Sequence, residues 1–456
     1  MPDPTSAALP ARVRAGYGLG SVATGTFGTV PGLMLLPYLT DTLGIAAALA
    51  GLIVFAPKAW DVVLNPVAGR VSDRSTDPRG PRRPFLLRAG LALAGCFALL
   101  FAAPDLGSRV VDALWVLVLF VACATAYAFF QVPYVAMPAE MTDSYDERTR
   151  LMTWRVAVLA LAIMVSGASA PAIRDALGGR AGYRVMGVVV AVLLVVGVLG
   201  AYAGTRSAPV GRVVAGTGTL REQLRVVASA RDFRLLLATF VVQALATGAM
   251  LAGVAYVSRW VLGSQAAATV LFVCFVGPAV LLTPVWSAVG RRVGKKRGYL
   301  ASSLVLALAA VLLAWARSAP DWWVYAATAL VGVGYAGCQV FPLAMLPDAA
   351  AVDARRTGAN RAGVYTGVWT AGETLGLALG PAVYAGVLAL GGYVSTDQPA
   401  DWMTQLQPDG ALTAIVVGFS LLPAALVLVS LLPLRAYALD HAVVEDRPAS
   451  DEGVRP

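Results

Sequence analysis

The stretch that decides the fold is FAPKAWDVVLNPVAGRVSDRSTDPRGPRRPFLLR, which runs from Phe55 to Arg88. Its first part is apolar enough to lie in a bilayer, yet it carries Lys58, Asp61 and Asn65. An ionisable side chain inside a membrane helix is costly and usually has a functional role. The second part is a short loop rich in arginine, which is typical of the cytoplasmic side of a membrane protein. The stretch therefore predicts a carrier that crosses the membrane many times and binds its ligand inside a helix bundle.

Composition supports a membrane protein and excludes several other classes. Of the 456 residues, 58% are hydrophobic and only 13% are charged, whereas about a quarter are charged in a typical soluble domain. The formal net charge of +9 comes from basic residues in short loops, which indicates membrane topology and not nucleic-acid binding. The four cysteines lack CxxC spacing and the single histidine, His441, lies in the polar tail, so no disulfide, metal site or cofactor is predicted. The N-terminus lacks the short apolar run of a removable signal peptide.

Twelve apolar runs predict twelve transmembrane helices, because about 20 such residues cross a bilayer. They lie near 14–40, 45–69, 84–103, 112–139, 150–173, 183–203, 233–260, 266–290, 298–317, 322–349, 361–391 and 410–435. A polar stretch from Arg206 to Arg234 separates the sixth run from the seventh and contains a predicted surface helix at LREQLRVVAS. We therefore expect an all-α membrane protein with an N-terminal six-helix half at 1–206, a cytoplasmic linker at 207–232, and a C-terminal half with a short polar tail at 233–456.

The charges of the loops predict the orientation, and two similar segments predict an internal duplication. Arginine and lysine are concentrated near the N-terminus and in every second loop, which places both termini in the cytoplasm. AMPAEMTDSYDERTR from Ala136 and AMLPDAAAVDARRTG from Ala344 lie 208 residues apart, and each places an acid before a basic loop. Their matching positions favour two related halves, the organisation of carriers that rock around a central site. Chance recurrence of short strings is the alternative.

Four residues are candidates for coupling to a cation or a proton. Lys58, Asp61 and Asn65 are spaced i, i+3 and i+7, so they share one helical face within about two turns. Lys58 and Asp61 can neutralise one another, and a carboxylate with nearby oxygens can hold Na⁺ or exchange a proton. Glu373, in an apolar part of the eleventh predicted helix, is the fourth candidate. The alternatives are a structural ion pair on the second helix and, for Glu373, an ion pair with Arg155 or Lys58.

Two further groups of residues are assigned to substrate binding and to gating. Amide and hydroxyl groups beside aromatic rings suit a hydroxylated ligand such as a sugar. The substrate candidates are Gln131, Tyr134, Arg155, Gln339, Trp369 and Glu373, with helix packing as the alternative for each aromatic residue. Acids and arginines at helix ends beside basic loops are candidate latches that hold one conformation closed. These are Asp73, Arg74, Glu140, Arg148 and Asp348, with a simple role in topology as the alternative.

Three segments of the sequence resemble one family of transporters. They are WDVVLNPVAGRVSDRSTDPRGPRRPFLL, VPYVAMPAEMTDSYDERTRLMTWR and AMLPDAAAVDARRTGANRAGVYTGVWTAGETLGLALGP. They are similar to the glycoside–pentoside–hexuronide:cation symporters, a family of the major facilitator superfamily that includes melibiose permease. The resemblance covers nearly the whole chain. It implies twelve helices, alternating access, and a central sugar site beside a cation site.

The chain also departs from that family at several site positions. Asp61 and Arg155 match acidic and basic residues of melibiose permease. The other positions of that permease's cation site correspond to Leu64, Asn65 and Ala128 here. Its sugar-binding acids fall at Gly25 and Gln131, and a lysine of its eleventh helix corresponds to Thr374. Since Na⁺ needs several oxygen ligands and a single carboxylate can take up a proton, these departures favour a proton over sodium. They also argue against a galactoside substrate.

The sequence thus predicts a secondary active transporter of the plasma membrane. It is expected to act as a monomer and to move a sugar or glycoside by alternating access, coupled to a proton or another cation, with Asp61 or Glu373 as the proton carrier. The alternative is a carrier of the same superfamily for an amphipathic or drug-like solute, without coupling. A membrane enzyme or sensor is disfavoured, because the sequence has no nucleophile–base pair, metal-ligand cluster, phosphate loop or sizeable soluble domain. Besides the solute, only membrane lipid is an expected partner.

Overall fold

Long helices form nearly all of the described chain. The computed structural model describes residues 9–73, 75, 77, 80, 82–104, 107–142, 145–208, 225, 229–264, 266–357, 362–395 and 407–439. The first six helices are α1 (Ala11–Asp41), α2 (Ala47–Asp73), α3 (Arg83–Leu100), α4 (Arg109–Met141), α5 (Tyr145–Leu177) and α6 (Gly179–Gly204). The remaining helices are α7 (Arg231–Tyr256), α8 (Ala267–Val293), α9 (Lys295–Leu312), α10 (Asp321–Thr357), α11 (Ala362–Leu390), α12 (Asp409–Phe419) and α13 (Leu421–Ala436).

The predicted all-α membrane class is confirmed. Eleven segments of the described chain are long and apolar enough to cross a membrane, and α2, with 27 residues, has the length of a twelfth span. One of the eleven spans combines α12 and α13, which the sequence predicted as a single helix. The helix breaks at Ser420, whose hydroxyl donates to the carbonyl of Val416 at 2.6 Å. Pro423, in the next turn, has no N–H to donate back into the helix.

The region between α6 and α7 corresponds to the predicted linker. A short 3₁₀ turn at Thr205–Ser207 follows α6, and α7 begins at Arg231. The predicted surface helix at LREQLRVVAS lies mainly outside the described residues, so that assignment and the division into halves stay predictions. Inside the bundle, α1 packs on α5 and α6, and α7 packs on α11 and α13.

The first six helices meet the later ones along three main contacts. α2 packs on α11, α5 on α8, and α1 on α7. Small residues allow close approach between neighbouring helices within the later group: a Cβ added at Gly380 of α11 would lie 2.4 Å from the backbone nitrogen of Ala249 in α7. An even number of spans brings the start of α1 and the end of α13 to one end of the bundle. We call the opposite end, where α1 ends at Asp41, the distal end; the predicted orientation makes it extracellular.

Candidate transport site

A cavity of about 230 Å³ lies between the two groups of helices. It is lined by residues of α1, α2 and α4 on one side and of α7 and α11 on the other. Its polar lining consists of Lys58, Asp61, Asn65, Tyr127, Gln131, Thr370, Glu373 and Thr374. All four predicted coupling residues and two of the predicted substrate residues, Gln131 and Glu373, therefore surround the same space.

Lys58 and Asp61 form an ion pair on one face of α2. The Lys58 Nζ lies 4.0 Å from Asp61 Oδ2, and the side chains are 18% and 4% exposed. The i, i+3 spacing on a regular helix places them side by side. The second carboxylate oxygen of Asp61, Oδ1, is buried and has no hydrogen-bond partner among the described residues. Lys58 neutralises this carboxylate but leaves one oxygen able to accept a proton or a ligand hydrogen bond.

Aromatic rings from two other helices surround the ammonium group of Lys58. Its Nζ lies 4.9 Å from the ring centroid of Phe27 on α1, and 5.9 Å from those of Phe120 and Tyr127 on α4. Cations are attracted to the faces of aromatic rings at such distances. The rings therefore stabilise the charged lysine at the edge of the cavity and hold it beside Asp61.

Glu373 provides the second carboxylate of the cavity, from the opposite group of helices. It lies on α11 with Thr370 and Thr374 of the same cavity wall. Among the described residues it has no ion-pair partner, so neither predicted ion pair, with Arg155 or Lys58, is present there. The cavity thus combines one ammonium group, two carboxylates, and amide and hydroxyl groups that can bind a hydroxylated ligand. No group of three or more His, Cys, Asp and Glu side chains that could hold a metal occurs in the described part of the chain.

Two predicted substrate residues, Tyr134 and Arg155, lie outside the cavity lining. Tyr134 is fully buried; its hydroxyl donates to the carbonyl of Tyr17 at 2.7 Å and is hydrogen-bonded to Ser21 at 2.9 Å. The guanidinium carbon of Arg155 lies 5.8 Å from the Tyr134 ring centroid. These contacts join α4, α1 and α5 in the conformation observed here. Substrate binding by Tyr134 and Arg155 stays a prediction.

Trp369 and Gln339 also lie beside the cavity and not on its wall. The Trp369 ring is buried and stacks on Phe240 with centroids 4.3 Å apart, and its Nε1 has no hydrogen-bond partner among the described residues. Gln339 donates to the Tyr335 hydroxyl at 2.6 Å and shares a small neighbouring cavity with Glu373. Substrate binding by Trp369 and Gln339 also stays a prediction.

Of the predicted latch residues, Asp348 has a described side chain, and it lies at the end of the bundle where α1 begins. Asp348, on α10, pairs with Lys295 at the start of α9, with 2.5 Å between Oδ2 and Nζ. This contact joins α9 and α10, two of the later helices. Arg74 and the side chains of Asp73, Glu140 and Arg148 lie outside the described residues, so their role as latches stays a prediction.

Sequence reasoning overlooked the aromatic surroundings of Lys58. Phe120, Tyr127 and Gln131 recur on α4 at spacings of seven and four residues, which is the signal of one helical face. That spacing alone indicated a shared surface that includes Gln131. No local signal connects Phe27 with Lys58, since the two residues belong to different helices.

A bundle of membrane-spanning helices around a central cavity with charged walls is the architecture of a secondary transporter. The family described as MFS/sugar transport protein matches residues 16–441. The chain belongs to this family. Its membership confirms the predicted superfamily, the predicted transport function and the predicted location as a multi-pass protein of the plasma membrane. It also agrees with the prediction that the protein is not an enzyme.

Full-length relatives are symporters or carriers. The chain is 25% identical over 518 residues to an uncharacterized symporter, sll1374, of Synechocystis sp., with 94% of each chain covered. It is 25% identical over 435 residues to the glucuronide carrier protein homolog of Escherichia coli K12, covering 94% of this chain and 92% of the relative. A solved structure from a study of proton-dependent oligopeptide transporters has a TM-score of 0.66 at 14% identity, with 93% and 98% of the two chains covered. That likeness shows the same fold.

Proposed function

We propose that the protein moves a sugar or glycoside through the central cavity together with a proton that Asp61 or Glu373 carries. The observation that carries the proposal is the shared cavity, where two carboxylates from opposite groups of helices meet amide and hydroxyl side chains. A glucuronide carrier homolog among the full-length relatives supports a substrate of the sugar class. Each chain contains its own cavity, which supports transport by a monomer.

The donor set favours a proton over sodium. Na⁺ is held by several oxygen atoms at once, as hard cations are in proteins. Leu64 and Ala128, which occupy two positions of the family's cation site, have hydrocarbon side chains and cannot supply such oxygens. A proton needs only one carboxylate oxygen, and Asp61 Oδ1 is buried without a hydrogen-bond partner among the described residues.

The ammonium group of Lys58 can neutralise Asp61 when no proton is bound to that carboxylate. When Asp61 is ionised, the neighbouring ammonium balances its charge, and the aromatic rings keep that ammonium in place. When Asp61 is protonated, Lys58 is released to interact with the cavity or with the solute. Exchange between these two arrangements couples proton occupancy to solute binding, because the polar groups available to the solute differ between them.

Uptake into proteoliposomes tests the proposal. A panel of labelled sugars is offered under an inward proton gradient or an inward sodium gradient. We expect accumulation with the proton gradient, and no accumulation with sodium alone. Accumulation should be lost when the carboxylate that carries the proton is replaced, in Asp61→Asn or in Glu373→Gln. Exchange of solute across the membrane at equal concentrations should persist in that variant, since exchange needs no net proton movement.

The matched control is Asp409→Asn at the distal surface. The Asp409 side chain is 93% exposed, pairs with Arg317 at 3.1 Å and is not part of the cavity lining. This variant should accumulate solute as the parent does. Undiminished uphill uptake in both Asp61→Asn and Glu373→Gln, or uptake driven by sodium and not by protons, would refute the proposed coupling.

An apolar solute is a second candidate, because part of the cavity wall is hydrocarbon. Leu251, Leu377 and Ala378 line it opposite the ion pair of α2. An amphipathic molecule would place its apolar part against these residues. Competition of sugar uptake by a panel of sugars and of amphipathic solutes separates the two, since only the preferred class should compete at low concentration.

A further inference from the structure

At the distal end, a buried ion pair joins helices from the two groups. Arg259 Nη1 donates to Asp41 Oδ2 at 3.1 Å, and the two side chains are only 9% and 7% exposed. Asp41 is the last residue of α1, and Arg259 lies in the turn that follows α7. The sequence predictions assigned no role to either residue.

Tyrosine and threonine hydroxyls extend this ion pair into a network. The Tyr393 hydroxyl, just after α11, donates to Asp41 Oδ1 at 2.7 Å and accepts from Trp260 Nε1 at 2.9 Å. The Thr40 hydroxyl lies 2.7 Å from both Asp41 Oδ1 and the Tyr256 hydroxyl. Both carboxylate oxygens of Asp41 are therefore occupied by groups that the later helices provide.

The backbone around Arg259 is specialised for this contact. Residues Val257–Val261 form a π-helical turn, a rare structure that occurs frequently at functional sites. The Arg259 guanidinium carbon lies 4.9 Å from the ring centroid of Trp260, which fixes its position from a second side. The turn and the ring together direct the guanidinium group toward Asp41.

We propose that Asp41, Arg259 and Tyr393 form a distal gate, which must separate before the central cavity opens toward the distal side. Gly28, on the cavity wall, and Asp41 belong to the same helix and are about 20 Å apart along it, at 1.5 Å per residue. The gate therefore closes the path between the cavity and the distal surface. Opening replaces its polar contacts by water, so the strength of the network sets how often the cavity is exposed there.

A gate differs from an ordinary structural ion pair in that it joins helices of different halves. Arg180 and Asp112 form another ion pair near the distal end, at 3.0 Å, but it joins α6 and α4 of the same half. Relative movement of the two halves would leave that pair intact and would break the contact between Asp41 and Arg259. The Arg180–Asp112 pair thus provides a control with similar chemistry.

Labelling of a cavity cysteine from the distal side tests the gate. Gly28→Cys is suitable because an added Cβ at Gly28 meets no atom within 4 Å. A membrane-impermeant thiol reagent is applied to right-side-out vesicles, and the parent with only its four native cysteines serves as the blank. In this background we expect Asp41→Asn and Arg259→Gln to increase the labelling rate about tenfold or more, and Tyr393→Phe to increase it about threefold. Inside-out vesicles should show slower labelling of the same variants.

Control variants keep the result interpretable. Asp112→Asn should change the labelling rate less than twofold, and Arg259→Lys, which keeps the positive charge, should remain near the parent. If a single variant does not fold, the exchanged pair Asp41→Arg with Arg259→Asp replaces it and should label at nearly the parent rate, because the opposite charges are restored. Equal labelling of folded Asp41→Asn and parent, or an equal increase in Asp112→Asn, would overturn the gate. The proposal rests on alternating access and not on the sugar or the proton, so it can fail while the proposed coupling stands.

Discussion

The coupling free energy between Lys58 and Asp61 should be larger than that between Lys295 and Asp348, although the second pair has a much shorter contact. At 4.0 Å, two unit charges attract each other by about 1 kcal/mol in water and by about 4 kcal/mol at an effective dielectric constant of 20. Asp61 is almost fully buried and Lys58 mostly so. We therefore expect a coupling free energy of about 2 kcal/mol, which corresponds to a factor of about 30 in an equilibrium constant.

A double-mutant cycle measures this coupling. Lys58→Met, Asp61→Asn and the double variant are unfolded by SDS in mixed micelles, and the free energies of unfolding are compared. Lys58→Met alone should be the least stable, since a buried charge that loses its partner costs about 3–5 kcal/mol. The loss in the double variant should be about 2 kcal/mol smaller than the sum of the two single losses, because no unpaired charge remains.

The control cycle uses Lys295 and Asp348. Their charged atoms are 2.5 Å apart, but the Lys295 side chain is 43% exposed. Exposed pairs contribute about 0.2–1 kcal/mol, so this shorter contact should show the weaker coupling. A coupling below about 0.5 kcal/mol for Lys58 and Asp61, or a larger one for the control pair, would refute the reasoning that burial and not distance decides the strength.

Two further predictions concern packing and buried polar contacts. In Gly380→Val the new side chain meets the backbone of Ala249, and this overpacking should lower the free energy of unfolding by about 1–3 kcal/mol. Gly386→Val should lower it less, because an added Cβ at Gly386 meets no atom within 4 Å. Equal losses in the two variants would contradict the packing argument. Gln243→Leu removes the acceptor of the Tyr299 hydroxyl at 3.0 Å, so SDS unfolding should show a loss of about 1–3 kcal/mol. Gln243 lies outside the central cavity, and a large rise in KM for uptake would show that it touches the solute.

Local spacing was sufficient to predict the helices and the polar face of α2. Lys58, Asp61 and Asn65 are close in sequence, and the periodicity of a helix places them together whatever their neighbours are. The helix count follows from the length that a bilayer requires. Glu373 was also found by a local argument, because a carboxylate in an apolar segment needs a reason to be there.

The substrate candidates on α4 show where local spacing is no longer sufficient. Gln131 and Tyr134 are three residues apart on α4 and thus point to neighbouring sides of the helix. Gln131 lines the cavity, whereas Tyr134 packs against α1 and donates to its backbone. Which of two neighbouring sides meets another helix depends on how the helices cross, and no residue spacing within α4 contains that information.

The proposed distal gate is a stronger example, because its members are distant in sequence and individually ordinary. Asp41 looks like a helix-end acid, Arg259 like a loop arginine, and Tyr393 like an interface anchor. Their sequence separations of 218 and 352 residues leave no periodic signal, and only the packing of α1 against α7 and α11 brings them together. The contact is buried while the halves are joined, and water can solvate both charges once they separate. Residues that hold two moving halves together therefore have to be sought at the ends of the helices that face the other half, and not among the charges that lie within a single helix.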